Sequence, residues 1–160
     1  MSGTDGSRYI SDISNMSSTT TTTTTNSNFN NNGLKEKKKK KSILLVDDEP
    51  DIIEVFKIDL EDNGFKVDAY TDPQKALSSF KAGIYGLVLL DLIMPKMNGY
   101  ELYDKIKEID NKVKVCFMSA TFVDYEAARQ AFPGLEIECF IEKPIEINDL
   151  VRRVKVELGL

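Results

Sequence analysis

A four-residue apolar run, Leu87-Val88-Leu89-Leu90, stands between Gly86 and an acid, Asp91. It is short, bounded by glycine and apolar at every position, so it reads as a strand buried on both faces. A strand of that kind needs a covering layer on each side of its sheet. Pro95 forbids regular structure from continuing, and Gly99 closes the stretch. Asp91 is therefore delivered at the carboxyl end of a buried strand, where ionisation without compensation is costly. A cation, a salt bridge or solvent at a cleft must offset it, and Asp91 becomes the candidate functional centre.

The same pattern repeats along the chain from Ser42. Ile43 to Val46 predicts a buried strand ending at Asp47-Asp48. Pro50 suits a first helical position, and Ile52, Ile53, Phe56 and Leu60 make one apolar helical face up to Asn63-Gly64. Lys66 to Tyr70 predicts the second strand. Asp72 caps a helix with Ala76, Leu77 and Phe80 facing inward, closed by Ala82-Gly83. After the third strand, a helix from about Tyr100 carries Leu102, Tyr103, Ile106 and Ile109 as its stripe. Val113 to Met118 predicts the fourth strand, and Asp124 to Phe132 a weaker helix stopped by Pro133-Gly134. Ile137 to Ile141 is the fifth strand, and Ile147, Leu150, Val151, Val154 and Leu158 line the last helix. Five strands alternating with five helices imply a doubly wound parallel α/β sheet covered on both faces.

Residues 1–41 are of another kind, with an unbroken threonine run from Thr19 to Thr25, an asparagine patch, and lysines from Lys37 to Lys41. Such a polar stretch buries too little to offset its ordering entropy and is expected to be disordered. It carries a net charge of +4, whereas residues 42–160, the expected folded domain, carry −9. The lysine run attracts anions in principle, but a solvated flank is the simpler reading, and an acidic domain argues against DNA as its ligand. No apolar run approaches the ~18 residues of a membrane span, and no secretory pattern precedes the domain, so a cytoplasmic location is expected. Cys116 and Cys139 lie in separate apolar runs without a CxxC partner and read as small core residues in a reducing compartment. The chain has no histidine, which excludes a histidine triad, a histidine metal ligand and an internal phosphohistidine.

In an open parallel sheet, ligands bind beyond the carboxyl ends of the strands. Asp47 and Asp48 follow the first strand, Asp91 the third, Ser119 the fourth and Lys143-Pro144 the fifth, so all share one rim. Converging carboxylates repel one another unless a cation intervenes, and an oxygen-only donor set favours a hard ion such as Mg2+. A lysine and a hydroxyl opposite the acids make sense if an anion with several oxygens, such as a phosphoryl group, also sits there. Asp91 is then the natural nucleophile, forming an acyl phosphate with Lys143 and Ser119 on the phosphoryl oxygens.

Four segments, Leu44 to Pro50 (LLVDDEP), Asp91 to Gly99 (DLIMPKMNG), Met118 to Ala120 (MSA) and Phe140 to Pro144 (FIEKP), together resemble the receiver domain of two-component response regulators. The resemblance covers about Lys41 to Leu160. It implies a flavodoxin-like sheet of strand order 2-1-3-4-5 and a phosphoryl group passed to Asp91 from a sensor histidine kinase or phosphotransfer protein. It further implies Asp48 as a direct Mg2+ ligand, Asp47 holding the metal mostly through water, and the Ile93 backbone carbonyl as another ligand. Ser119 and Lys143 would contact the phosphoryl group, Phe140 would be the aromatic that switches with Ser119, and the Lys143–Pro144 peptide would be cis. The family often carries a small Gly-Ala pair before the switch aromatic, whereas Glu136-Ile137 stands here. The resemblance also implies that Ile93, apolar here, would flank the path of the attacking water, which predicts slow loss of the phosphoryl group.

Each residue also has a plainer use. Asp47 and Asp48 suit strand-end turns, Lys143 suits a structural ion pair with Asp91, and Phe140 suits the core. Output is expected through a protein partner, since no DNA-binding domain follows the last helix. One rival reading is a receiver-shaped scaffold that is not phosphorylated. Another is a Mg2+-dependent phosphatase with an aspartyl nucleophile, which typically carries a second acid two residues on, where Ile93 stands here.

Overall fold

The computed structural model describes residues 41–121 and 125–160. Five parallel strands, β1 (Ser42–Val46), β2 (Lys66–Tyr70), β3 (Leu87–Asp91), β4 (Lys114–Ser119) and β5 (Cys139–Glu142), form one sheet in the order β2-β1-β3-β4-β5. The connecting helices are α1 (Pro50–Asp62), α2 (Pro73–Ser79), α3 (Gly99–Ile109), α4 (Tyr125–Ala131) and α5 (Ile147–Leu158). The doubly wound architecture, strand order and helix number are those expected. The expected tail, apart from Lys41, lies outside the described residues, as does Asp124.

β3 is buried at all five positions because apolar layers cover both of its faces. Val88 and Leu90 face a cluster with Leu102, Tyr103 and Ile106 of α3, while Leu87 and Leu89 face Phe56, Leu60, Leu150 and Val154 of α1 and α5. Local chemistry sets the helix starts. Pro50 opens α1, the Asp72 carboxylate accepts from the Gln74 and Lys75 amides, and Asn98 with Glu101 forms a reciprocal capping box on α3. Gly64, just past α1, takes φ +82°, a left-handed value that glycine adopts without a Cβ penalty.

Three boundaries differ from expectation. α2 stops at Ser79 rather than at Ala82-Gly83, because Phe80 turns to extended backbone and stacks its ring on Tyr85 at 5.6 Å. β5 begins at Cys139, so Ile137 lies in the preceding irregular segment although it still packs on the core. Ile109, the last residue of α3 and of its predicted stripe, is exposed rather than buried.

The cysteines require a larger correction. Both are core residues, but they are not separate thiols: Cys116 and Cys139 are register partners on β4 and β5 and form a disulfide. A separation of 23 residues, with a helix between, concealed the pairing in the sequence.

Candidate functional site

The right-handed β–α–β crossovers bring the carboxyl ends of β1, β3, β4 and β5 to one edge. Asp47 follows β1, Asp91 and Ser119 are the last residues of β3 and β4, and Lys143 follows β5. All four are buried polar residues, and among the described residues no buried side-chain nitrogen or oxygen lacks a hydrogen-bond partner.

Lys143 is the hub. Its ammonium lies 2.9 Å from Asp47 Oδ2, 2.9 Å from Asp91 Oδ1 and 3.2 Å from Glu49 Oε1. The backbone holds this arrangement: the Lys143 N–H donates to the Ser119 carbonyl at 2.8 Å, and the Lys143–Pro144 peptide is cis, as expected. The other oxygens of the two acids are also oriented, Asp47 Oδ1 accepting from the Glu49 amide and Asp91 Oδ2 from the Ile93 amide, both at 3.1 Å. Asp48 is half-buried beside them, and Asp47, Asp48 and Asp91 each present a carboxylate oxygen within 4.8 Å of the others.

One ammonium facing two buried carboxylates leaves a negative charge unbalanced. Burial pushes the Asp47 carboxyl above the ordinary 3.8, with the Lys143 hydrogen bond pulling it back. Asp91 is likewise pushed up by burial and then by the charge of Asp47, again opposed by Lys143. Burial works against the Lys143 charge, but hydrogen bonds to Asp47 and Asp91 outweigh it and hold the ammonium above its usual 10.5. The excess negative charge, with donor atoms that are all oxygens, fits a hard divalent cation such as Mg2+.

A cavity of about 280 Å³ opens over these groups, lined by Asp48, Glu49, Asp91, Ile93, Ser119 and Thr121 among others. A roomier groove of about 410 Å³ runs along the outside of α3, past Lys96, Glu101 and Lys105, away from the acids. The smaller cavity is the one lined by the clustered acids Asp48 and Asp91 and by Ser119. Ile93 lines it with a side chain 63% exposed. The Ser119 hydroxyl is engaged within its own loop, 3.2 Å from Thr121 Oγ1 and accepting from the Thr121 amide at 3.2 Å. Phe140 is half-buried, is the register partner of Phe117 and packs on the cluster shared with α2 and α3.

The close approach of α3 to the β3 end is also specific. A Cβ on Gly99 would meet the Asp91 carbonyl oxygen and would lie 2.9 Å from Leu92 Cα, both backbone atoms. Sequence reasoning brought Asp47, Asp48, Asp91, Ser119 and Lys143 to this rim, but it gave no role to Glu49, Thr121 or Gly99. The third acid of Asp47-Asp48-Glu49 was a visible signal for Glu49, and a hydroxyl two residues after Ser119 was one for Thr121.

The response regulator receiver domain family matches residues 43–155. The regulatory protein VanRB of Enterococcus faecalis is 34% identical over 112 residues, covering 70% of this chain and 50% of its own. The transcriptional regulatory protein DltR of Streptococcus agalactiae is 30% identical over 112 residues, covering 69% of this chain and 48% of its own. The chain thus spans about half the length of these curated relatives. Among solved structures, the Thermotoga maritima response regulator TrrA in complex with Mg2+ and BeF superposes with a TM-score of 0.60 at 30% identity, over 72% of this chain and 97% of that one. A CheY-like receiver domain protein from Methanospirillum hungatei gives 0.66 at 25% identity, over 74% and 93%. With the family match spanning most of the described residues and these folds agreeing, the chain belongs to the response regulator receiver domain family.

Proposed function

We propose that this receiver accepts a phosphoryl group on Asp91 from a phosphohistidine of a sensor histidine kinase or phosphotransfer protein in the cytoplasm. The observation that carries this is the Lys143 ammonium at 2.9 Å from Asp91 Oδ1, with Asp91 itself lining a cavity of about 280 Å³ together with Asp48 and Ser119. In the transfer, an Asp91 carboxylate oxygen attacks phosphorus, the donor's N–P bond breaks, and the imidazole nitrogen departs with the electron pair. The product is an acyl phosphate on Asp91. Lys143 is already desolvated and positioned, so it faces charge on the phosphoryl oxygens without reorganising solvent. Ser119 supplies a hydroxyl to another oxygen once it leaves Thr121, and Phe140 follows that movement as the switch aromatic.

Mg2+ would be held by Asp47, Asp48, Asp91 and the Ile93 carbonyl, and when bound it supplies the positive charge that the site's own lysine leaves short. Lys143 then loses part of its hold on Asp91 and gains one on the phosphoryl group, which biases a resting–active equilibrium. We assign the output to a protein partner, a reading supported by the net charge of −9 on residues 42–160. Among the described residues no helix is long and apolar enough to cross a membrane.

Incubation with Mg2+ and acetyl phosphate, followed by intact mass, tests the reading. A single phosphoryl adduct that Asp91→Asn abolishes is the expected result. No adduct, with a small donor or with a kinase, favours a binding scaffold, and rapid turnover of unrelated phosphomonoesters favours a phosphatase.

A further inference from the structure

We propose that Cys116 and Cys139 are a reversible dithiol–disulfide pair that clamps β4 to β5 and, through Ser119 and Lys143, sets how readily the rim accepts a phosphoryl group. The coupling to phosphoryl transfer rests on the function proposed above, whereas the clamp itself does not.

The two residues are register partners, their Cα atoms 4.5 Å apart, inside the range that a disulfide spans. Both sulfurs sit in the cluster beneath α5, with Leu89, Met118, Ile141 and Val154. From α5 the Arg153 guanidinium donates to Cys139 Sγ at 3.4 Å while pairing with Glu157 at 3.3 Å. A fixed cation is thus placed where a thiolate would need one. Access comes from the edge of the sheet. β5 is an edge strand of four residues, Cys139 is its first, and β4 is its one ladder partner among the described residues. Local opening there costs less than unfolding the core.

Leverage comes from position. Cys116 lies three residues before Ser119 on β4, and Cys139 four residues before Lys143 beyond β5. The Lys143 N–H to Ser119 carbonyl bond joins the two strands again at the rim. Reduction removes the covalent link between β4 and β5 and leaves Ser119 and Lys143 freer to move onto a phosphoryl group. Oxidation holds them in the arrangement described here.

The chemistry balances with hydrogen peroxide as oxidant. The Cys139 thiolate attacks one peroxide oxygen, the O–O bond breaks, and the departing hydroxide is protonated to water. The Cys116 sulfur then attacks the resulting sulfenic sulfur, the S–O bond breaks, and a second water leaves. Two thiols and one peroxide become one disulfide and two waters. A dithiol reductant reverses this by two exchanges and is itself oxidised to a disulfide.

The test uses the full chain, reduced with dithiothreitol or oxidised with peroxide, with thiols counted by alkylation and intact mass. Amide exchange over residues 114–119 and 139–143 reads the clamp, and the rate of Asp91 phosphorylation by acetyl phosphate with Mg2+ reads the coupling. We expect peroxide to remove both alkylatable thiols reversibly and to slow exchange at the β4–β5 ends. The oxidised chain should accept phosphoryl roughly threefold or more slowly, the size of effect that small misplacement of catalytic groups produces. Cys116→Ala and Cys139→Ala should each phosphorylate at the reduced rate and ignore peroxide. Thiols that stay alkylatable, or exchange that is equal in both states, overturns the clamp. Equal phosphorylation rates in the two states overturn the coupling. A clamp that responds to peroxide in a chain phosphorylated in neither state would sink the phospho-acceptor reading and the coupling, leaving the clamp established.

Discussion

Lys143 shows how much of a site one residue can carry. It is the cation for two buried carboxylates, Asp47 and Asp91, so replacing it strands both. Lys143→Met should cost about 3–5 kcal/mol of stability without metal, the usual consequence of breaking a buried ion pair from one side. Urea unfolding measures it, and Mg2+ should restore part of the loss. Ile93 acts differently. Its exposed side chain lines the cavity and offers no hydrogen bond to an attacking water. Ile93→Asn should therefore shorten the lifetime of the phosphorylated state by roughly threefold or more, about 0.7 kcal/mol in the barrier. The decay of the phosphoryl adduct by intact mass measures it, and an unchanged lifetime would exclude the idea. Lys143 was legible because a lysine after a buried strand has few apolar reasons to be there. The Glu49 contact was not, since nothing local says that a carboxylate will meet an ammonium 94 positions away.

At the scale of elements, the turn from β3 into α3 decides where Asp91, the proposed acceptor, points. Gly99 opens α3 and its N–H donates to the Leu92 carbonyl at 2.9 Å, drawing the helix against the end of β3. Gly99→Ala would press a Cβ onto backbone atoms that cannot rotate away, so the turn must shift and take Asp91 with it. A loss of about 1–3 kcal/mol is expected, with a slower phosphorylation rate. Gly134→Ala is the control, because a Cβ there meets nothing within 4 Å and both quantities should hold. The cap at Asp72 was readable because a side chain satisfies amides two or three residues away, whereas the Asn98 cap of α3 was not read, although its chemistry is just as local. The end of α2 was not readable, since the stacking of Phe80 on Tyr85 is what turns the chain there. The start of β5 was also missed: apolar Ile137 belongs to the core without belonging to the ladder.

For the whole molecule, the charge at the rim links stability to pH and metal. Asp47 and Asp91 have native-state proton affinities above the ordinary 3.8, so the folded chain holds those protons more tightly than the unfolded chain does. Their contribution to stability is therefore greatest in acid, falls as pH rises from 3.8 through the raised native values, and stays low above them. Mg2+ held at the rim as proposed would bind the ionised forms, so its stabilisation should appear over that same rise. At a free concentration ten times its dissociation constant it should add about 1.4 kcal/mol near neutral pH, and almost nothing once both acids are protonated. Lys143 behaves oppositely at the other end. Its contribution is complete below 10.5 and is lost as pH climbs through the higher native value. Thermal unfolding with and without Mg2+, repeated across pH, measures both limbs.

The sequence by itself determined the layered α/β fold and the rim on which the chemistry sits. Burial of strands such as Leu87 to Leu90 on both faces demands helices above and below, and parallel strands put their carboxyl ends together. It determined which acids, hydroxyl and lysine stand on that rim because each follows a strand directly. Tertiary structure alone decided the pairings: Lys143 with Glu49, Ser119 with Thr121, Gly99 against the Asp91 carbonyl, and Cys116 with Cys139. Periodicity reports which face a residue occupies. Register and the packing of distant elements report which atom it touches, and for Cys116 and Cys139 that register turned two core residues into a cross-strand bond.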